Sequence, residues 1–323
     1  ELNLETLLEG SVLSEEGNER MREVLQKHSA VFSEKPGLTH LISHKINIVN
    51  KKPFSTRLRP LTEEKRRIMS GLIKEMVDDG ILEKRHTPYL SNPILLKKKN
   101  GTYKLIHDSR VLNKACEPER KQLPDLFEAI SKLGNKKIYS RWDLPNAYSQ
   151  VEIHPESQQY TGLLTHEGIY VYKRACYGLR SMPFTLHSLM QLVLGDMYYT
   201  TVISYYDDLL IGSSSEQEHV ENVEKFLSKM EEAGLTLSMS KSRVAIEEFD
   251  FLGYHISHGK VSCQKEKIAQ ANQLQRPKNV KELQRLLGFL NFFRLHIPRM
   301  SEISAPLVKL LKKEKRFAWG PEQ

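Results

Sequence analysis

The chain has 323 residues, 39% of them hydrophobic and 27% charged, with 48 Lys and Arg against 40 Asp and Glu. That apolar share belongs to a folded soluble protein rather than a disordered one, and no run approaches the roughly eighteen uninterrupted apolar residues of a membrane span. The formal net charge of +8 is compatible with a polyanionic partner without requiring one, since phosphate contacts from Lys and Arg supply most non-specific nucleic-acid affinity.

The length calls for two or three subdomains rather than one core. Cys116, Cys176 and Cys263 form no Cys-x-x-Cys pair, which excludes a zinc knuckle or a disulfide framework and fits a reducing compartment. His40 with His44, and His255 with His258, lack the Glu of a zinc-hydrolase helix and read as ordinary polar histidines. Glu1-Leu2-Asn3-Leu4-Glu5 has no signal-peptide character and no initiator Met, so the chain reads as an internal fragment of a longer product.

In chain order, residues 1–50 form a mixed lead-in with a short amphipathic helix near Glu19–His28. Pro53 and Pro60 bracket an extended basic segment. Thr62 then offers an N-cap to a helix with Ile68, Leu72, Ile73, Met76 and Val77 on its apolar face, stopped by Gly80. Strands flank Lys97-Lys98-Lys99-Asn100-Gly101, an Asn-Gly hairpin signal. Ile138 to Trp142 is a strand ending at Asp143, and Pro183 opens a helix carrying Leu186, Leu189, Met190 and Val193. Val202–Tyr206 and Leu209–Ile211 read as apolar strands joined by Asp207-Asp208. Ser215 with Glu218 makes a capping box for a helix bearing Val220, Val223, Leu227 and Met230, stopped by Gly234. After about residue 260 the pattern turns helical: Asn279 with Glu282 caps Leu283, Leu286, Leu287, Leu290 and Phe293, and the tail 309–316 is basic. The class is α+β.

Two adjacent carboxylates at a hairpin tip repel, and each raises the other's pKa unless a cation intervenes. An isolated Asp-Asp is usually a surface turn. Here apolar strands project the pair from a sheet, and Asp143 ends another strand, so three acids could hold two magnesium ions.

Tyr205-Tyr206-Asp207-Asp208 resembles the Tyr-x-Asp-Asp box of reverse transcriptases. Tyr139-Ser140-Arg141-Trp142-Asp143-Leu144 with Ala147-Tyr148-Ser149-Gln150 resembles the motif of that family's first catalytic Asp. Asp108-Ser109-Arg110-Val111-Leu112-Asn113 is similar to its Asp-x-Arg-x-Leu-Asn motif, Gly178-Leu179 with Met182-Pro183 to the next element, and Phe251-Leu252-Gly253-Tyr254 to its primer-grip hairpin. Leu287 to Arg294, Ala305-Pro306-Leu307 and Phe317-Ala318-Trp319 resemble the segment leading to ribonuclease H in gypsy-class long-terminal-repeat retrotransposons. The resemblance runs from about residue 20 to the end, in order.

It implies a right-hand polymerase: fingers at 51–117 and 151–181, a palm of antiparallel sheet plus helices at 118–150 and 182–258, and a helical thumb with the start of a connection at 259–323. It implies RNA-directed DNA synthesis, DNA templates included, with Asp143, Asp207 and Asp208 holding two Mg2+ ions for which Mn2+ can substitute. Lys241 would protonate pyrophosphate. Lys104 and one of Lys97, Lys98 and Lys99 would meet the triphosphate, although a lysine-rich hairpin is as readily a solvated turn. Tyr148 would be the steric gate or else a core Tyr, and Tyr177 a nucleotide contact or else packing. Leu252, Gly253 and Tyr254 would place the primer end, and Arg110 would brace the fingers through Asp108. Partners would be RNA and DNA template-primer and deoxynucleoside triphosphates, with no membrane, as monomer or dimer. The setting would be cytoplasmic, in a virus-like particle as part of a polyprotein. The rival is a co-opted, non-catalytic nucleic-acid-binding module. Tyr206, Ala175-Cys176 and Trp142 depart from the family pattern, which puts rate and selectivity in question rather than the acids.

Overall fold

The computed structural model describes residues 3–119, 123, 125–312 and 316–323. The chain divides into one unit formed by Glu1–Asp125 and Ile138–Ile246 and a second formed by Leu126–Lys137 and Glu247–Gln323. The mixed α+β class expected from the sequence is the one observed, with most strand pairs antiparallel. No helix among the described residues is long and apolar enough to cross a membrane.

The first unit begins with α1 (Glu15–Lys27), longer at its start than the sequence suggests because Ser14 caps it by accepting from the Gly17 N–H. β1 (Thr39–His44) follows. Thr62 caps α2 (Glu63–Asp78) through the Lys65 N–H, and Gly80 leaves it at a positive φ of 69°. The buried stripe of α2 is Met69 and Ile73, flanked by Leu72 and Met76; Val77 points to solvent. β2 (Leu82–Lys84) and β3 (Leu90–Ser91) lead to the hairpin of β4 (Pro93–Lys97) and β5 (Tyr103–His107), whose turn is longer than an Asn-Gly pair alone. α3 (Arg110–Ala115) closes this part; α4 (Leu126–Leu133) belongs to the second unit.

β6 (Ile138–Asp143) is an inner strand of the central sheet. β7 (Val151–Ile153) pairs in parallel with β1. After the short α5 (Pro155–Gln158), β8 (Gly162–Thr165) and β9 (Gly168–Tyr172) complete a sheet ordered β2-β9-β8-β3. α6 (Met182–Leu194) starts with Pro183 in its first turn and buries Leu186, Leu189, Met190 and Val193. β10 (Val202–Tyr205), β11 (Asp208–Ser213), α7 (Glu216–Glu232) and β12 (Arg243–Ile246) finish the unit. Ser215 accepts from the Glu218 N–H at the start of α7, while the Glu218 carboxylate accepts from the Ser214 N–H. The central sheet runs β10-β11-β6-β12, antiparallel throughout, with α7 packed on β11 and β6.

Strand alternation divides β6 cleanly. Trp142 is fully buried between Phe32 and Phe226, with ring centroids 6.2 and 5.4 Å away, while Asp143 and Arg141 face the other side. The departure at Trp142 therefore lies on the packing face of the strand. Ala175 and Cys176 are buried as well.

In the second unit β13 (Glu248–Phe251), β14 (Tyr254–Ser257) and β15 (Lys260–Cys263) form a meander, so the C-terminal helical run begins only with α8 (Lys265–Ala271). Asn279 caps α9 (Val280–Asn291) through the Glu282 N–H, and α9 buries Leu283. α10 (Met300–Lys309) follows, and the basic tail 309–316 lies partly outside the described residues.

Candidate active site

Residues 207 and 208 do not sit together at the hairpin tip. Tyr205 pairs with Asp208, so the two-residue turn is Tyr206-Asp207 and Asp208 is already the first residue of β11. The turn places Tyr206 at a φ of 54°, left-handed backbone that a bulky residue rarely adopts, and leaves the residue about half exposed. One residue further along, Asp208 lies opposite Asp143 on β6. Directly opposed residues of antiparallel strands have Cα atoms roughly 4.5–5.5 Å apart with side chains on one face.

Each acid has its own partner. Arg141 donates from Nε and Nη2 to Asp208 Oδ1 at 3.1 and 2.9 Å. Lys241 Nζ stands 3.7 Å from Asp143 Oδ2. The Tyr177 hydroxyl donates to Asp207 Oδ2 at 3.3 Å, and Asp207 Oδ1 is buried with no hydrogen-bond partner among the described residues. Burial raises the pKa of Asp143 above the ordinary carboxylate value, and Asp208 adds to this while Lys241 and Arg141 oppose it. Burial also raises Asp207, helped by Asp208 and Asp143 and opposed by the Tyr177 hydrogen bond and Lys104. Among the described residues, no three His, Cys, Asp or Glu side chains are already drawn into a metal-binding cluster. The donor set nevertheless suits a hard divalent cation: three carboxylates press on one another, and one buried oxygen is unsatisfied.

The loop after α7 delivers Lys241. The Asp143 N–H donates to Ser242 Oγ and the Ser238 N–H donates to the Asp143 carbonyl, so residues 238–242 are bound to the end of β6. Glu34 holds the same loop, accepting from Ser238 Oγ and the Ser240 N–H at 2.8 and 3.0 Å.

Tyr148 lies in a short 3-10 turn, Ala147–Gln150, entered through Asn146 at a φ of 44°. Its ring packs against Tyr177 with centroids 4.8 Å apart, and burial together with Asp207 pushes its pKa up to about 12. Lys104, on β5, places Nζ 3.8 Å from the centre of the Tyr177 ring, and burial lowers its pKa, with Lys98 adding to this and Asp207 opposing. Lys98, Lys104, Asn146 and Tyr177 line a cleft of about 470 Å³ together with Glu34, Glu75 and Asp79, while Asp143, Asp207, Asp208 and Tyr148 lie outside its lining. Lys97 and Lys99 are exposed on the hairpin and do not line it.

Asp108 receives both Arg110 (2.8 and 2.7 Å) and Arg59 (2.9 Å), which hold its carboxyl well below the usual range. Asn113, from the same motif, donates to the Gly178 carbonyl and accepts from the Arg180 N–H, securing the turn that presents Tyr177. In the second unit, Leu252 and Gly253 form the β13–β14 turn at φ 49° and 86°, and the Tyr254 hydroxyl hydrogen bonds the Phe292 carbonyl.

Arg141, Glu34, Arg59 and Asn113 have roles that sequence alone did not assign to them. Two of them left a signal: Asn113 stands in the Asp108–Asn113 motif, and Arg141, two residues before Asp143 on a strand, must share that acid's face. Glu34 and Arg59 reach their partners over long sequence separations and left none.

Residues 96–256 match the family described as reverse transcriptase (RNA-dependent DNA polymerase). The chain is 32% identical over 265 residues to the Transposon Tf2-3 polyprotein of Schizosaccharomyces pombe, an alignment covering 82% of this chain and 20% of that protein. The Tf2-7 polyprotein of the same organism is 31% identical over the same shares. The chain thus spans about a fifth of the length of these curated relatives. Among solved structures, the foamy viral protease-reverse transcriptase in complex with double-stranded DNA superposes with a TM-score of 0.81 at 22% identity, covering 99% of this chain and 68% of that one. The complex of that protein with an RNA/DNA hybrid gives 0.78 at 22% identity, covering 99% and 44%.

Proposed function

Because the chain belongs to the reverse transcriptase family and has its α+β right-hand polymerase fold, we propose that it adds deoxynucleotides to a primer 3′-end, copying RNA and also DNA. The observation that carries this reading is Asp143 opposite Asp208, with Asp207 beside them holding an unsatisfied buried oxygen. Asp143, Asp207 and Asp208 would hold two magnesium ions, for which manganese can substitute. Bound there, such cations supply Lewis acidity at the phosphoryl oxygens and relieve the repulsion among the carboxylates.

The protein's own groups then have distinct tasks. Lys104, near enough to Asp207 for their charges to interact, and Lys98 beside it offset charge on the triphosphate and on the departing pyrophosphate. Lys241, beside Asp143, is placed to give a proton to pyrophosphate. Tyr148 presents its ring beneath the sugar and leaves no room for a 2′-hydroxyl, and Tyr177 lies beside it. Asp108 with Arg110 and Arg59 braces the fingers, assigned to 51–117 and 151–181. The palm would take 118–150 and 182–258 and the thumb 259–323, with Leu252, Gly253 and Tyr254 placing the primer end. The partners would be RNA and DNA template-primer and deoxynucleoside triphosphates. The setting would be cytoplasmic, within a virus-like particle; the relatives named as polyproteins support a place in a longer product.

Primer extension with magnesium on homopolymer RNA and DNA templates tests the reading. Asp207→Asn should abolish extension and leave template-primer binding near the parent level. A parent chain that binds but never extends is a binding module, and one that copies DNA alone is a DNA-directed polymerase.

A further inference from the structure

Tyr177 is held at its backbone, at its ring and at its hydroxyl. Its turn is fastened by Asn113 at Gly178 and Arg180. One contact to its ring is the Lys104 ammonium, 3.8 Å from the centroid, and another is the Tyr148 ring at 4.8 Å. A ring so clamped cannot move its hydroxyl far, and that hydroxyl donates to Asp207 Oδ2 at 3.3 Å. The partner oxygen Oδ1 is buried and receives no hydrogen bond among the described residues.

We infer that Tyr177 is a positioning residue for Asp207: its hydroxyl engages Oδ2, sets the plane of the carboxylate and leaves Oδ1 as the atom presented to a cation. The inference rests on the reading of Asp207 as a metal ligand. The physical reason is that a carboxylate on a turn rotates about its terminal torsion unless one oxygen is tethered, and that torsion is broad when left alone. Outer partners that orient metal ligands typically matter by about 10–100-fold in affinity. Phenylalanine at this position would keep the ring contacts and lose the tether.

Mn2+ binding in the absence of nucleotide and template-primer, followed by electron paramagnetic resonance, is the direct measurement. Tyr177→Phe should weaken Mn2+ binding by about 10-fold or more, with the melting temperature and template-primer affinity near those of the parent. Extension should then need more magnesium for half-maximal rate. A second pair guards against a packing effect. Tyr177→Gln, which retains a donor without the ring, should hold Mn2+ more tightly than Tyr177→Leu; equal loss in the two would overturn the inference. Unchanged Mn2+ affinity in Tyr177→Phe, with affinity reduced in Asp207→Asn, overturns the positioning role and leaves the function reading standing. Parent-like Mn2+ affinity in Asp207→Asn overturns both.

Discussion

Asp208 and Asp143 face each other across two antiparallel strands, and Arg141, diagonal to Asp208 on the same sheet face, donates twice to Asp208 Oδ1 while its charge also acts on Asp143. Opposed like charges on paired strands are destabilising, so the cation belongs to the design of the site. Arg141→Met should lower extension by about 10–100-fold, the range typical of outer partners that orient metal ligands. The half-exposed ion pair itself should contribute under about 1 kcal/mol to folding. A large drop in melting temperature with unaltered activity in the folded fraction would contradict this assignment.

Acid should destabilise the fold through three buried histidines. Burial pulls the pKa of His44, His107 and His219 from the ordinary 6.5 to about 4. Between those values the unfolded chain binds protons that the folded chain does not, so the contribution is present above about 6.5 and lost as pH falls toward 4. His219 lies between Ser140 Oγ and Ser213 Oγ at 2.7 and 2.8 Å. Melting followed from neutral pH down to about 4.5 should decline less steeply in His219→Gln than in the parent. Equal slopes would remove His219 from the account.

Two glycines should respond in opposite directions. A Cβ on Gly162 would lie 2.0 Å from the Tyr89 carbonyl oxygen, where β8 pairs with β3, so backbone must move. Gly162→Ala should cost about 1–3 kcal/mol in chemical denaturation. Gly71, within α2, has open space at its Cβ, and Gly71→Ala should gain about 0.5–1 kcal/mol. A shared sign would show that backbone crowding at Gly162 is not the deciding factor.

Tyr148 gives a specificity test of the proposed polymerase. Tyr148→Val should raise ribonucleotide relative to deoxyribonucleotide incorporation by roughly 10–100-fold, measured by single-nucleotide addition with each substrate. An unchanged ratio would return this buried ring to a packing role.

The local signals were legible because they act over three or four residues. Thr62, Ser215 and Asn279 cap helices, Gly80 and Gly234 follow helix ends at positive φ, and the run from Ile138 forms a strand that ends at Asp143. The candidate acids were legible for a different reason, as ordered motifs matching a family. What no local signal contained was register. One residue of shift in the β10–β11 pairing moves Asp208 off the tip and into a strand opposite Asp143, because side chains alternate faces with a period of two. Nor did local signals announce that residues 126–137 join 247–323 in one unit, or that Glu34 reaches Ser238 and Ser240. Sequence by itself determined the capped helices and the strand ending at Asp143, which are matters of neighbouring residues, and the candidate carboxylates through the order of their motifs. The tertiary structure decided which oxygen each partner takes, because those contacts join residues that only long-range packing brings within hydrogen-bond reach.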